Sequence, residues 1–439
     1  MFGRSKDEAI KEPLINSTAA NEFVVVSKNP VTNAAFLAAL TSAINPLKVV
    51  CESKISAAYC VLALFLDTAS LTDLFERVLK ERETRKNNPA VANTPSLIIA
   101  LNLSQLSAIG TWLETMAVAT KLQGVRLVIG ESEAEILEQI TDKLTPTDDP
   151  NFIKMPVTPE VENTTYKYFY TFSPDLRKLT RTMHELAQNN ITRVYLLGGP
   201  GAGKTSLAYY YWCCRKKGNF VAVNLNSEST GDKSAMKSLL CGHVTGAFPG
   251  TGSREGALAF AKDGVCFLDE SHGVTGTVMQ VLMEVLDSGQ FLPYGATVKR
   301  SLECAVIFAS NRSWETLRSM IQLDEHARLG ATLLTLSDLS VRREDMLAVI
   351  ATSLAKFKKQ YTTWRAAEGL TPAAWEAIKA CPWRGNTRTL IRVLETASVS
   401  FCLENTGDNL LDAKHIQEGI DLWEPADHES LKVYVSHKS

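Results

Sequence analysis

No stretch of the 439-residue sequence reaches the roughly 20 consecutive apolar residues that a membrane-spanning helix needs. The most apolar run, Ile55 to Phe65, is well short of that length and reads as a buried helix, so no membrane span is expected. The opening segment, MFGRSKDEAIKEP, lacks the apolar centre of a signal peptide, which argues against export. Cys-x-x-Cys spacing is also missing. The nine cysteines are scattered, with Cys213 and Cys214 the one close pair, which excludes the usual zinc-ribbon spacings and points to a reduced, cytoplasmic chain. Nor is there an excess of one charge: 46 Lys plus Arg face 48 Asp plus Glu, so nucleic-acid contact, if any, is local. No repeat period or long low-complexity tract is present.

What is present is an alternation of short apolar runs with longer periodic segments. Residues 1–20 are polar, unpatterned and expected to be disordered. From 21 to 144, runs at Phe23–Val26, Lys48–Cys51, Leu97–Leu101 and Val125–Ile129 alternate with helical stretches at Asn33–Ile44, Ile55–Glu81, Gln105–Lys121 and Glu133–Leu144. This is the pattern of a parallel α/β domain. Residues 145–169, with Asp148-Asp149-Pro150, read as a linker. A second α/β pattern fills 170–340, a helical segment follows over 341–423, and 424–439 form a tail.

Chemistry concentrates in the second α/β segment. The apolar run Val194–Leu197 leads into Gly198-Gly199-Pro200-Gly201-Ala202-Gly203-Lys204-Thr205, a full G-x-x-x-x-G-K-[ST] match between an expected strand and an expected helix that begins with Thr205-Ser206. Glycines at these positions let backbone N–H groups surround a phosphate at a helix N-terminus. Lys204 supplies a charge to the β- and γ-phosphates of ATP, and the Thr205 hydroxyl is a Mg²⁺ ligand. Downstream, Val265–Leu268 ends in Asp269-Glu270. Asp269 is placed to hold Mg²⁺ and Glu270 to orient the attacking water. A third run, Ala305–Ala309, ends at Ser310-Asn311, where a polar tip can sense the γ-phosphate.

Over about residues 170 to 410 the chain resembles the AAA+ domain of bacterial enhancer-binding proteins, the sigma-54 activators. The resemblance rests on the stretch Leu239–Asn311 and on Trp383-Arg384-Gly385-Asn386-Thr387-Arg388-Thr389-Leu390, which is similar to the family's W-P-G-N-V-R-E-L. It implies an AAA+ core with a C-terminal helical lid, ATP hydrolysis with Mg²⁺, and a homo-oligomer, a hexameric ring. Gly246-Ala247-Phe248-Pro249-Gly250 looks like the family's client-binding loop, GAFTGA, and Gln290–Gly295 like its second pore-side loop. Arg388 corresponds to the second nucleotide sensor, Asn224 to an asparagine restraining the catalytic glutamate, and Arg328 to an arginine finger reaching a neighbouring subunit's ATP. The implied client is sigma-54 RNA polymerase.

The sequence also departs from the family. Pro249 stands where the family has the threonine that contacts sigma-54, Gln322 where a second finger arginine is common, and Arg384 where the lid has proline. No room is expected after Gln417 for the family's DNA-binding helix-turn-helix. These departures favour an alternative client, a non-transcriptional machine such as a mobile-element, secretion or defence assembly. Residues 21–144 resemble receiver domains, but Ser27-Lys28-Asn29 replaces the acidic pair and the third run, as counted above, ends at Asn102 instead of a phosphorylatable Asp. A regulatory, docking or oligomerisation role is the expectation for them, with ligand sensing as the alternative.

Overall fold

The fold is described from a computed structural model covering residues 21–28, 34–51, 54–86, 94–118, 122–144, 151–155, 168–225, 233–271, 276–320, 332–404 and 408–424. By contacts the chain divides into two compact units: Met1–Leu103 with Gln123–Asp148, and Ser104–Leu122 with Asp149–Ser439.

The first unit contains β1 (Glu22–Ser27), α1 (Ala34–Ala43), β2 (Lys48–Val50), β3 (Ala58–Leu64), α2 (Thr68–Lys86) and β4 (Ser96–Leu101). Helix α3 (Leu106–Val118) follows in sequence, and then β5 (Val125–Ile129) and α4 (Glu133–Ile140). The five strands form one parallel sheet in the order β2-β1-β3-β4-β5, a doubly wound arrangement. The run Ile55–Phe65, expected as a helix, is a strand over most of its length, and α2 starts only at Thr68. All seven residues of β3 are buried, and a strand covered on both faces shows no alternation to separate it from a buried helix. Counting β3 makes Leu97–Leu101 the fourth strand, so the carboxylate following the third is Asp67. It accepts a hydrogen bond from Ser70 N at 2.9 Å and pairs with Lys28 at 3.0 Å, which together hold its carboxyl at about 2. Two buried arginines tie the loops entering the sheet. Arg82 donates to the carbonyls of Pro95, Gln123 and Gly124, and Arg85 to those of Ala58, Ser56 and Ile55.

Helix α3 belongs by its contacts to the second unit. There Gly110 permits backbone-close packing, since a Cβ would stand 1.9 Å from the Ala351 carbonyl oxygen. The unit continues with β6 (Phe152–Lys154), β7 (Tyr168–Tyr170), α5 (Pro174–Gln188), β8 (Arg193–Leu197), α6 (Lys204–Arg215), β9 (Phe220–Asn224), α7 (Lys233–Cys241), β10 (Gly242–His243), β11 (Arg254–Glu255) and α8 (Ala257–Ala261). After these come β12 (Val265–Asp269), α9 (Gly276–Ser288), β13 (Gln290–Phe291), β14 (Arg300–Ser301), β15 (Ala305–Ser310), α10 (Trp314–Met320) and β16 (Thr332–Thr335). The main sheet is parallel in the order β16-β8-β15-β12-β9. Its central strands are near-continuous apolar runs because helices cover both faces.

A helical region follows: α11 (Arg343–Gln360), α12 (Pro372–Ala380), α13 (Asn386–Glu404) and α14 (Ala413–Trp423). The Trp383 ring is fully buried and its Nε1 donates to Ile378 O at 2.8 Å, which fixes the turn leading into α13.

Candidate functional site

The sheet order places the phosphate-binding loop, the carboxylate strand and the polar-tipped strand side by side. β15 lies between β8 and β12, so Leu197, Ser310 and Asp269 end three adjacent strands at one edge. Residues 198–203 connect β8 to α6. Gly201 (φ 70°) and Gly203 (φ 110°) adopt the left-handed region, and their lack of a Cβ is used for close approach. A Cβ on Gly201 would lie 2.4 Å from Gly385 O, and one on Gly203 would lie 2.1 Å from the Phe169 ring. Pro200 and Ala202 complete the loop, and Ala202 N bonds Gly199 O at 3.2 Å. The Lys204 ammonium donates to Gly198 O (2.8 Å) and Gly199 O (3.1 Å). Burial pushes its pKa down, while Asp269 and Glu270 oppose that shift. Thr205 is exposed and Ser206 half-buried on the first turn of α6.

Asp269 closes β12 half-buried, and its Oδ1 accepts from Glu270 N at 2.9 Å. Glu270 has φ 54°, a conformation rare for a side chain of this type, at the position that would present a carboxylate to water. Asn224 is in register with Asp269 on the adjoining β9. Asn311 follows β15 and carries a buried side-chain oxygen without a hydrogen-bond partner. Arg388 lies on α13, with its Cβ 3.1 Å from the position of a Cβ on Gly201. Arg328 lies outside the described residues, as do residues 1–20.

Thr205 and Asp269 carry oxygens suited to Mg²⁺, and the orphaned Asn311 oxygen is an acceptor suited to a water at the strand tip. Among the described residues no group of three or more His, Cys, Asp or Glu could hold a metal.

Two further features were not read from the sequence. Asn386, wholly buried with φ 52°, accepts from Leu339 N (2.7 Å) and donates to Pro200 O (3.1 Å), so one amide joins the phosphate loop, the connector and the start of α13. Tyr195 reaches Ser271 from β8 at 2.6 Å. The available signal was a tyrosine hydroxyl inside an otherwise apolar strand.

Residues Gly246–Gly250, expected from the resemblance to be a client-binding loop, form a compact excursion between β10 and β11. Gly246 and Gly250 have φ of 81° and 74° with open space where a Cβ would be. Ala247 N bonds Val244 O at 3.1 Å, and Thr251 Oγ1 donates to Phe248 O at 3.0 Å. Phe248 is half-buried, and Pro249 is exposed beside it. Gln290–Gly295 begins with β13, which pairs with β14 as a hairpin ahead of β15, and Tyr294 bonds both Gly242 O and Val244 N.

A parallel sheet of this order, with a complete phosphate loop, adjacent acidic strand tip and helical lid, defines an AAA+ P-loop domain. Residues 169–331 match the family profile described as the sigma-54 interaction domain. Alginate biosynthesis transcriptional regulatory protein AlgB of Pseudomonas aeruginosa is 32% identical over 249 residues, covering 56% of this chain and 53% of that protein. The Nif-specific regulatory protein of Herbaspirillum seropedicae is 28% identical over 228 residues, or 51% and 41% of the two chains. The chain thus spans about half the length of these relatives. NtrX from Brucella abortus, solved in complex with ATP, shares the fold with a TM-score of 0.51 at 18% identity, over 94% of this chain and 91% of that one. Among the described residues no helix is long and apolar enough to cross a membrane.

Proposed function

We propose that the chain is an ATP-hydrolysing, ring-forming motor that remodels a protein client, with sigma-54 RNA polymerase as its leading client. The observation that carries this reading is the convergence of Lys204, Asp269-Glu270 and Asn311 on one edge of the sheet, with the lid segment Gly385–Arg388 against the phosphate loop. Lys204 offsets charge on the β- and γ-phosphates, leaving the carbonyls of Gly198 and Gly199 to do so. Thr205 and Asp269 hold Mg²⁺, which when bound neutralises phosphate charge. Glu270 orients water for in-line attack, Asn224 restrains Glu270, and Asn311 and Arg388 register the γ-phosphate. Arg328 would complete the neighbouring subunit's site, so hydrolysis requires assembly.

The loop Gly246–Gly250 is the surface for the client. The match of residues 169–331 to the sigma-54 interaction domain supports the transcriptional client. One feature favours the second reading, a non-transcriptional machine of the same clade: exposed Pro249 offers neither a hydroxyl nor an N–H at the loop tip. Opening of a sigma-54 promoter complex by the purified protein with ATP tests the assignment. Opening that depends on hydrolysis is expected; an active ATPase that opens no such promoter would assign the motor to the other client.

A further inference from the structure

The nucleotide-site reading leaves Glu270 in a left-handed backbone conformation that its side chain does not favour. Such a residue persists only where its neighbours fix it. On one side, Glu270 N is held by Asp269 Oδ1 at 2.9 Å. On the other side is Ser271, 5% exposed, whose Oγ donates to Ala309 O at 2.8 Å and lies 2.6 Å from the Tyr195 hydroxyl. A serine hydroxyl has one proton, which is committed to Ala309, so Tyr195 is the donor in the second bond. The chain of bonds therefore runs from Tyr195 Oη to Ser271 Oγ to the carbonyl of Ala309.

The topology explains why tyrosine is needed. β15 separates β8 from β12, and Tyr195 is in register with Phe308 on it. The phenol ring lies along Phe308, with centroids 5.5 Å apart and planes 17° apart, and Trp314 meets its edge at 6.3 Å. This packing fixes the ring direction, and its length carries the hydroxyl past the intervening strand to Ser271. Ala309 stands two residues before Asn311, where Ser310 Oγ accepts from Arg312 N at 3.1 Å and shapes the strand tip.

We propose that Tyr195 and Ser271 are a positioning pair: they fix the backbone that presents Glu270 to the attacking water and hold it in register with the strand tip carrying Asn311. Neither belongs to the phosphate loop or to the Asp269-Glu270 pair. This rests on the ATPase reading, and the effect belongs to turnover and not to binding, because the phosphate loop is built from other residues.

The test is steady-state ATP hydrolysis together with binding of a fluorescent ADP and thermal unfolding, on wild type, Tyr195→Phe, Ser271→Ala, Ser271→Thr and the double variant Tyr195→Phe/Ser271→Ala. The single variants Tyr195→Phe and Ser271→Ala should lower kcat roughly tenfold with KM and ADP affinity within about twofold, the signature of a displaced catalytic group. Ser271→Thr, which keeps a hydroxyl, should retain most of the turnover. Ser271→Ala strands the buried Tyr195 hydroxyl, and the double variant removes that burden, so its unfolding temperature should recover while kcat stays low. If Ser271→Ala does not fold, Tyr195→Phe, which loses a single oxygen, decides. Wild-type kcat in Tyr195→Phe, or turnover that recovers along with stability in the double variant, overturns the positioning role. A wild-type protein that binds ADP but does not hydrolyse ATP overturns instead the ATPase reading beneath it.

Discussion

Phe248 lies face to face with Tyr294, ring centroids 5.0 Å apart and planes 9° apart, and His243 meets Phe248 edge-on at 5.3 Å. Phe248 lies on a short loop between Gly246 and Gly250. The structure stacks it on Tyr294 of the second loop, and on β10 His243 is held by Ser238 Oγ at 2.7 Å. An aromatic pair of this kind contributes about 0.5–1.5 kcal/mol beyond area burial, small enough for a client or a nucleotide state to displace.

Phe248→Ala should therefore lower client-dependent output at least about tenfold, as loss of an aromatic anchor does, while hydrolysis by the free protein falls by less than about threefold. Pro249→Thr restores a hydroxyl and a backbone donor at the exposed tip. Co-migration with purified sigma-54, in the presence of a transition-state analogue of ATP, should rise for this variant over wild type. Equal and negligible binding by both would exclude sigma-54 as the client.

The motif residues were legible because their chemistry demands a contiguous sequence: six residues between a strand and a helix bind phosphate wherever the rest of the chain goes. Strand tips ending in Asp269-Glu270 and Asn311 were legible through their order behind that loop. Asn386 and the Tyr195–Ser271 pair were not. Their bonds span 186 and 76 residues, and no local pattern announces which distant carbonyl an amide will meet. Strand β3 was missed for a different reason: buried on both faces, it has no period of two. The stack of Phe248 on Tyr294 was not legible either, because the two rings are 46 residues apart, on different hairpins.

Asn386→Asp keeps the acceptor for Leu339 N but turns an oxygen toward Pro200 O, with Asp338 Oδ1 3.4 Å from the same atom. The lost donor and the added repulsion in a buried site cost about 1–3 kcal/mol. ADP affinity should fall roughly tenfold, in proportion to about 1.4 kcal/mol of that cost appearing at the loop. Unchanged affinity measured by titration calorimetry would show that the contact does not shape the phosphate loop.

Asp345 supplies a pH dependence. Its Oδ1 accepts from Phe172 N and Ser173 N at 2.6 and 3.1 Å. Burial pushes the carboxyl up to about 6, against the opposing charge of Arg342. A folded value above the unfolded 3.8 means that the proton stabilises the fold: the contribution is fully present below pH 3.8 and is lost as pH rises through about 6. The stability of wild type minus that of Asp345→Asn should fall by up to about 3 kcal/mol from about pH 4 to pH 7. Denaturant unfolding across that range would contradict this if the difference stayed flat or increased.

Assembly makes a separate prediction. If Arg328 serves a neighbour, Arg328→Ala and Glu270→Gln proteins are each slow, yet their mixture regains part of the activity, because some interfaces combine an intact Glu270 with an intact Arg328. Turnover per subunit should also rise with protein concentration. Full-rate hydrolysis by a species that sediments as a monomer would remove the requirement for a ring.

The most direct test of the nucleotide site is phosphate release from ATP by wild type, Lys204→Ala and Glu270→Gln, with nucleotide binding measured on the same samples. The account predicts magnesium-dependent turnover by wild type and lost affinity in Lys204→Ala. Glu270→Gln should bind ATP normally and release phosphate at least about a hundredfold more slowly, the scale of a missing general base. Near-wild-type phosphate release from Glu270→Gln would contradict it.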